Sequence, residues 1–172
     1  MTVGPRHDDT RDTPGAGKAR AMRRHFEILL VEDNPGDVRL LQESMSAIAR
    51  HTVSVARDGA EALAFLRREG DYISAPRPDI VLLDLGLPAL PGLDVLSAIK
   101  GDPMLRRIPV IVLTSSAARD DVQAAYAHHA NAFITKPADL DQFVTAVQAI
   151  ADFYLSIARL PDRPSGGFTT AA

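Results

Sequence analysis

The chain has 172 residues, 46% hydrophobic and 24% charged, with a formal net charge of -3 and a pI near 5.9. That length supports one domain with a substantial core, and the acidic balance argues against a protein that holds nucleic acid by bulk electrostatics. No apolar run approaches the roughly 18 residues of a membrane span, no apolar leader opens the chain, and the absence of cysteine removes disulfides and thiolate ligands. A cytoplasmic protein is the expectation.

Residues 1–24 are rich in Gly, Pro, Thr, Arg and Asp without hydrophobic period, and read as a flexible arm. Within it, Gly15-Ala16-Gly17-Lys18 has part of a phosphate-loop pattern, but Ala19 stands where Ser or Thr is needed and no strand precedes it, so the match is chance. Residues 26–31 form an apolar strand. Asn34 then supplies an N-cap and Pro35 a first helical residue, with Val38, Leu41, Met45 and Ile48 at helical spacing. A strand at 52–56 is followed by a helix that Asp58 caps, with Ala62, Leu63, Phe65 and Leu66 inward. The run 79–84 is the most apolar strand and belongs at the centre of the sheet.

A helix at 93–100, a strand at 108–114, a helix at 119–128 and a strand at 131–135 come next, then a long helix at 140–158. His128 and His129 are adjacent on a helix end and point in different directions, which suits solvated side chains better than a metal. Arg23-Arg24 and Arg67-Arg68 read as solvated charge pairs. Residues 159–172, with LPDRPSGGFTTAA at their end, read as a loose tail that leaves no room for an appended domain. Five strands alternating with five helices predict an α/β fold, a parallel sheet covered on both faces.

Several polar residues stand where these strands stop: Glu32 and Asp33 after the first, Asp84 after the third, Thr114 ending the fourth and Lys136 after the fifth. Open parallel sheets bind ligands at that edge. Glu32, Asp33 and Asp84, with a backbone carbonyl near Gly86, offer the hard oxygens that Mg²⁺ prefers. Without positive charge such carboxylates repel one another; a cation and Lys136 relieve that. An aspartate carboxylate accepts phosphoryl groups as an acyl phosphate, and Lys136 and Thr114 supply charge and a hydroxyl donor to the added oxygens. One strand-end aspartate is ordinarily a cap. Four partners at matching strand ends make Asp84 a site.

With these motifs, residues 26–151 resemble the receiver domain of two-component response regulators. The match lies in Glu32-Asp33, Asp84, Pro88 and Gly92 in the following loop, Thr114, and Lys136-Pro137. The resemblance implies a flavodoxin-like, doubly wound sheet of strand order 2-1-3-4-5 within a receiver domain at 25–158. It implies that Asp84 takes phosphate from a phosphohistidine on a sensor histidine kinase, that Glu32, Asp33, Asp84 and the Gly86 carbonyl hold Mg²⁺, and that Thr114 and Lys136 contact the phosphoryl group. Phe133 matches the aromatic whose rotamer reports phosphorylation, and the Lys136-Pro137 bond is expected to be cis. Gly86 departs from the polar side chain of many relatives, and Ser115 and Ser116 are candidate modulators of the acyl-phosphate lifetime. VEDNPGDVRLLQE, IPVIVLTSS, NAFITKPADLDQF and DFYLSIARLP are similar to stand-alone regulators paired with phytochrome-type kinases. Output then runs through protein contacts rather than turnover of an outside substrate, with a phosphate sink or relay intermediate as the alternative.

Rival classes lack their marks. A Mg²⁺-dependent hydrolase with an aspartyl-phosphate intermediate needs an acid two residues beyond the nucleophile, where Gly86 stands. A flavodoxin-like FMN binder needs a phosphate loop after the first strand, where Glu32-Asp33 repels phosphate. The final helix carries two stripes. Leu140, Phe143, Val144, Val147, Ala151, Tyr154 and Leu155 are expected in the core. Ala146, Ile150, Phe153, Ile157 and Leu160 form a second stripe, expected to mediate a symmetric homodimer.

Overall fold

Strand β1 (Phe26–Val31) pairs in parallel with β2 (His51–Ala56) on one side and β3 (Ile80–Leu83) on the other. Strands β4 (Val110–Thr114) and β5 (Ala132–Thr135) extend the sheet beyond β3, giving the order β2-β1-β3-β4-β5 with every pairing parallel. This is the topology expected. The computed structural model describes residues 25–46 and 50–161; the expectations for 1–24, for Ile48 and for 162–172 lie outside the described residues.

The helices are α1 (Pro35–Met45), α2 (Gly59–Arg67), α3 (Gly92–Gly101), α4 (Arg119–Ala127) and α5 (Leu140–Asp152), with a 3-10 turn at Gly70–Tyr72 and a π turn at Phe153–Ile157. Alternate strand residues point to opposite faces, and the core divides accordingly. Ile28, Leu30, Ile80, Leu82, Ile111 and Leu113 meet Leu41 and Met45 of α1 and Phe143 and Val147 of α5. Leu29, Val31, Val81, Leu83, Val110 and Val112 meet Phe65 of α2, Leu96 and Ile99 of α3 and Ala125 of α4.

Local chemistry sets the helix starts. The Asn34 side chain accepts from the Gly36 and Asp37 N–H groups with Pro35 following, and Asp58 and Asp139 cap α2 and α5 in the same way. Strand β4 begins two residues later than expected, after Pro109, whose nitrogen carries no hydrogen for a ladder.

The chain's end departs most from expectation. Leu140, placed in the core by its spacing, is 65% exposed because it occupies the first turn of α5. Ile150 of the second stripe is buried, Leu160 packs against the core, and Ala146 is half-buried. Ile150 lies seven residues after Phe143 and so shares the face that α5 turns to the core; for Leu160 the reason lies in the backbone. The helix turns π at Phe153, inserting extra backbone per turn, so spacing by 3.6 residues misplaces the side chains beyond that point. Only Phe153 and Ile157 of that stripe, 49% and 72% exposed, present large apolar surface to solvent.

Candidate functional site

Parallel pairing brings the polar strand ends together. Val31 and Leu83 are partners in register, so Glu32 and Asp84 emerge side by side. Backbone bonds continue past the strands: the Asp84 N–H donates to Val31, the Glu32 N–H to Ala56 and the Lys136 N–H to Thr114. Gly92 lies against the same corner. A β-carbon there would stand 2.3 Å from the Asp84 carbonyl oxygen and 2.6 Å from the Leu85 α-carbon, a space that only glycine fills.

Lys136 is the hub. Its Nζ lies 2.6 Å from Glu32 Oε2, 2.6 Å from Asp84 Oδ2 and 2.8 Å from Asp37 Oδ2. Glu32, Asp84 and Thr114 are all buried. The Gly86 N–H donates to Asp84 Oδ1 at 3.0 Å, and the Asn34 N–H donates to Glu32 Oε1 at 3.1 Å. The Lys136-Pro137 bond is trans, as is every peptide bond among the described residues, contrary to expectation. Trans is the favoured form even before proline, and the four-carbon lysine stem reaches the pocket without the isomer.

The electrostatics separate the two buried acids. Burial pushes the Glu32 carboxyl above its ordinary pKa, and the nearby Asp84 charge adds to that despite Lys136. Burial works to raise Asp84 too, but the Gly86 N–H, Lys136 and the Thr114 hydroxyl outweigh it and hold Asp84 below the usual range. Burial opposes the Lys136 charge; its three carboxylate partners more than offset this and raise its pKa. Asp84 is therefore an ionised carboxylate held beside a cation at neutral pH.

Of the residues singled out in the sequence, Glu32, Asp84, Thr114, Lys136 and Gly86 meet in one pocket. Asp33 is exposed at its rim, and Phe133 is half-buried against the core. Among the described residues, no three acidic or histidine side chains form a ready metal cage, because Lys136 stands between the carboxylates and draws them inward. The donor set of hard oxygens nevertheless fits a divalent cation, and the ammonium at its centre shows that the cluster needs positive charge. Sequence reasoning missed Asp37. It sits in the first turn of α1, where an acid is accounted for by the helix dipole alone; its place one turn beyond Asn34, facing back to the strand ends, was the available signal.

Comparison with known proteins decides the family. The model of the response regulator receiver domain matches residues 28–148. The chain belongs to the response-regulator receiver family. Response regulator Rcp1 of Synechocystis sp. is 46% identical over 135 residues, which span 78% of this chain and 92% of Rcp1. The crystal structure of the phosphorylated cyanobacterial phytochrome response regulator RcpA superposes with a TM-score of 0.78 at 49% identity, covering 81% of this receiver and all of that chain. The Mn²⁺-bound form of Rcp1 gives 0.77 at 45% identity, covering 80% and 99%. The protein is thus a two-component signalling receiver, and its acidic pocket lies at the sheet edge where that fold puts its chemistry. No helix among the described residues is long and apolar enough to cross a membrane.

Proposed function

We propose that Asp84 is the phosphoacceptor, taking a phosphoryl group from a phosphohistidine of a sensor histidine kinase. An Asp84 carboxylate oxygen attacks phosphorus, the phosphorus–nitrogen bond breaks, and the departing imidazole takes up a proton. The observation that carries this reading is the buried Asp84 carboxylate, 2.6 Å from Lys136 Nζ. Glu32, Asp33, Asp84 and the Gly86 carbonyl would hold Mg²⁺, which supplies charge neutralisation for phosphoryl oxygens when bound. Lys136 exchanges a carboxylate contact for a phosphoryl oxygen, Thr114 donates its hydroxyl to another, and Phe133 turns inward behind Thr114. Catalysis is alignment and charge compensation, and the protein turns over no substrate beyond its own phosphoryl group.

The likeness to RcpA and Rcp1 supports a phytochrome-type kinase as the cytoplasmic partner. Phe153 and Ile157 support a homodimer through the end of the last helix, with Ala146, Ile150 and Leu160 of the expected stripe serving as its backing. Incubation with autophosphorylated, radiolabelled kinases tests the proposal. Label passes to the wild type in the presence of Mg²⁺ and not to Asp84→Asn; transfer to both proteins, or from no phytochrome-type kinase, contradicts it.

A further inference from the structure

The rim of the sheet opposite Asp84 holds a second concavity, of about 260 Å³, just ahead of the starts of β3 and β4. Its polar lining includes Arg77 and Arg107; its apolar walls include Pro103, Pro109, Met104 and Leu160. Arg77 Nη1 is the one buried side-chain nitrogen or oxygen among the described residues without a hydrogen-bond partner. Such orphans are rare, because a guanidinium N–H stripped of water and given no acceptor costs free energy. Burial pushes the Arg77 pKa down, and the charges of Arg68 and Arg107 push the same way. The charges of Asp102 and of Asp79, the acid in the lining, push the other way without outweighing this, and Asp79 Oδ2 also accepts the Glu27 N–H of β1 at 2.9 Å. The place combines two guanidinium groups, an unmet donor and a largely apolar enclosure. Even with Asp79 in the lining, Arg77 Nη1 is left without an acceptor.

We infer that this cavity binds a small carboxylate with a short apolar body, its oxygens on Arg77 and Arg107 and its body against the proline and Leu160 wall. Guanidinium forks match carboxylate geometry bidentately, and two fixed cations in a half-enclosed pocket strengthen that contact relative to open water. The apolar walls select against a bare inorganic anion. Leu160 and Pro161 lie just beyond the π turn, so an occupant bridges the strand starts to the end of the last helix and links this rim to the proposed dimer surface. The inference stands apart from phosphorylation, since none of its residues touches Asp84 or Lys136.

Titration with benzoate followed by amide and guanidinium proton NMR of the full chain is the test. Saturable shifts at Arg77, Arg107 and Leu160 with a Kd of about 1 mM, weakened at least about tenfold in Arg77→Gln and unchanged in Asp84→Asn, are expected. Arg107→Gln provides a second variant should Arg77→Gln fail to fold. Absence of saturation, equal affinity in the folded arginine variants, or equal binding of inorganic phosphate overturns the inference.

Discussion

Lys136 carries more of the site than its single charge suggests. It is the common partner of Glu32, Asp37 and Asp84, so its removal leaves three acids facing one another with no counter-charge. Lys136→Met is expected to lose about 3 kcal/mol of stability, read as a fall in urea midpoint, and added MgCl₂ is expected to restore part of it. A loss that Mg²⁺ does not recover contradicts the view that the carboxylates take a cation. The pH dependence comes from the directions of the shifts. Asp84 sits below its ordinary 3.8, so its stabilising share is whole above that value and is lost as pH falls through the depressed one. Glu32 is raised above 4.5, so its share has the opposite sense and fades as pH rises through its folded value. Lys136 is raised above 10.5 and keeps its share until the solution is more alkaline than that. The stability advantage of wild type over Asp84→Asn is therefore greatest near neutrality and shrinks below pH about 3.8; a flat difference in urea midpoint across that range speaks against it. Asp37 competes with the other acids for the same ammonium. Its role was not legible in the sequence, where an acid in a first helical turn has a sufficient local explanation.

At the scale of elements, the strand ends were readable because burial from both sides gives short apolar runs with abrupt polar stops. Glu32, Asp84 and Lys136 are those stops. Gly92 was legible only as part of a pattern; its reason is that a β-carbon there would stand 2.3 Å from the Asp84 carbonyl oxygen. Gly92→Ala is expected to cost about 1–3 kcal/mol through overpacking and to slow phosphoryl uptake by displacing Asp84, measured as thermal midpoint together with initial rate of labelling. Normal uptake in a folded Gly92→Ala would show that the corner is looser than described. The end of the last helix was the least legible element, since a π turn at Phe153–Ile157 changes the facing of every later residue and a period of 3.6 contains no hint of it. Leu140 shows the complementary limit: spacing assigns a face, but the first turn of a helix projects beyond the sheet it covers.

For the molecule as a whole, alternation of strand and helix gave the layered architecture, and the two packed faces arise from the two-residue period of each strand. What alternation does not contain is the oligomer. With Ile150 and Leu160 occupied by the core, only Phe153 and Ile157 remain as anchors. Sedimentation at micromolar concentration, with and without a phosphoryl mimic, is expected to show a dimer for wild type and a monomer for the double variant Phe153→Asp, Ile157→Asp; a monomeric wild type in both states removes the dimer. Both rims of the sheet then carry a proposed role, phosphoryl transfer at the strand ends and anion binding at the strand starts. Phosphoryl transfer at Asp84 is the more fundamental of the two. Intact-mass and peptide mapping after exposure to phosphoramidate and Mg²⁺ tests it without any assumption about the kinase. One base-labile phosphoryl group on the peptide bearing Asp84, and none on Asp84→Asn, is the predicted result; an unmodified wild type, or an addition that persists in the variant, contradicts it.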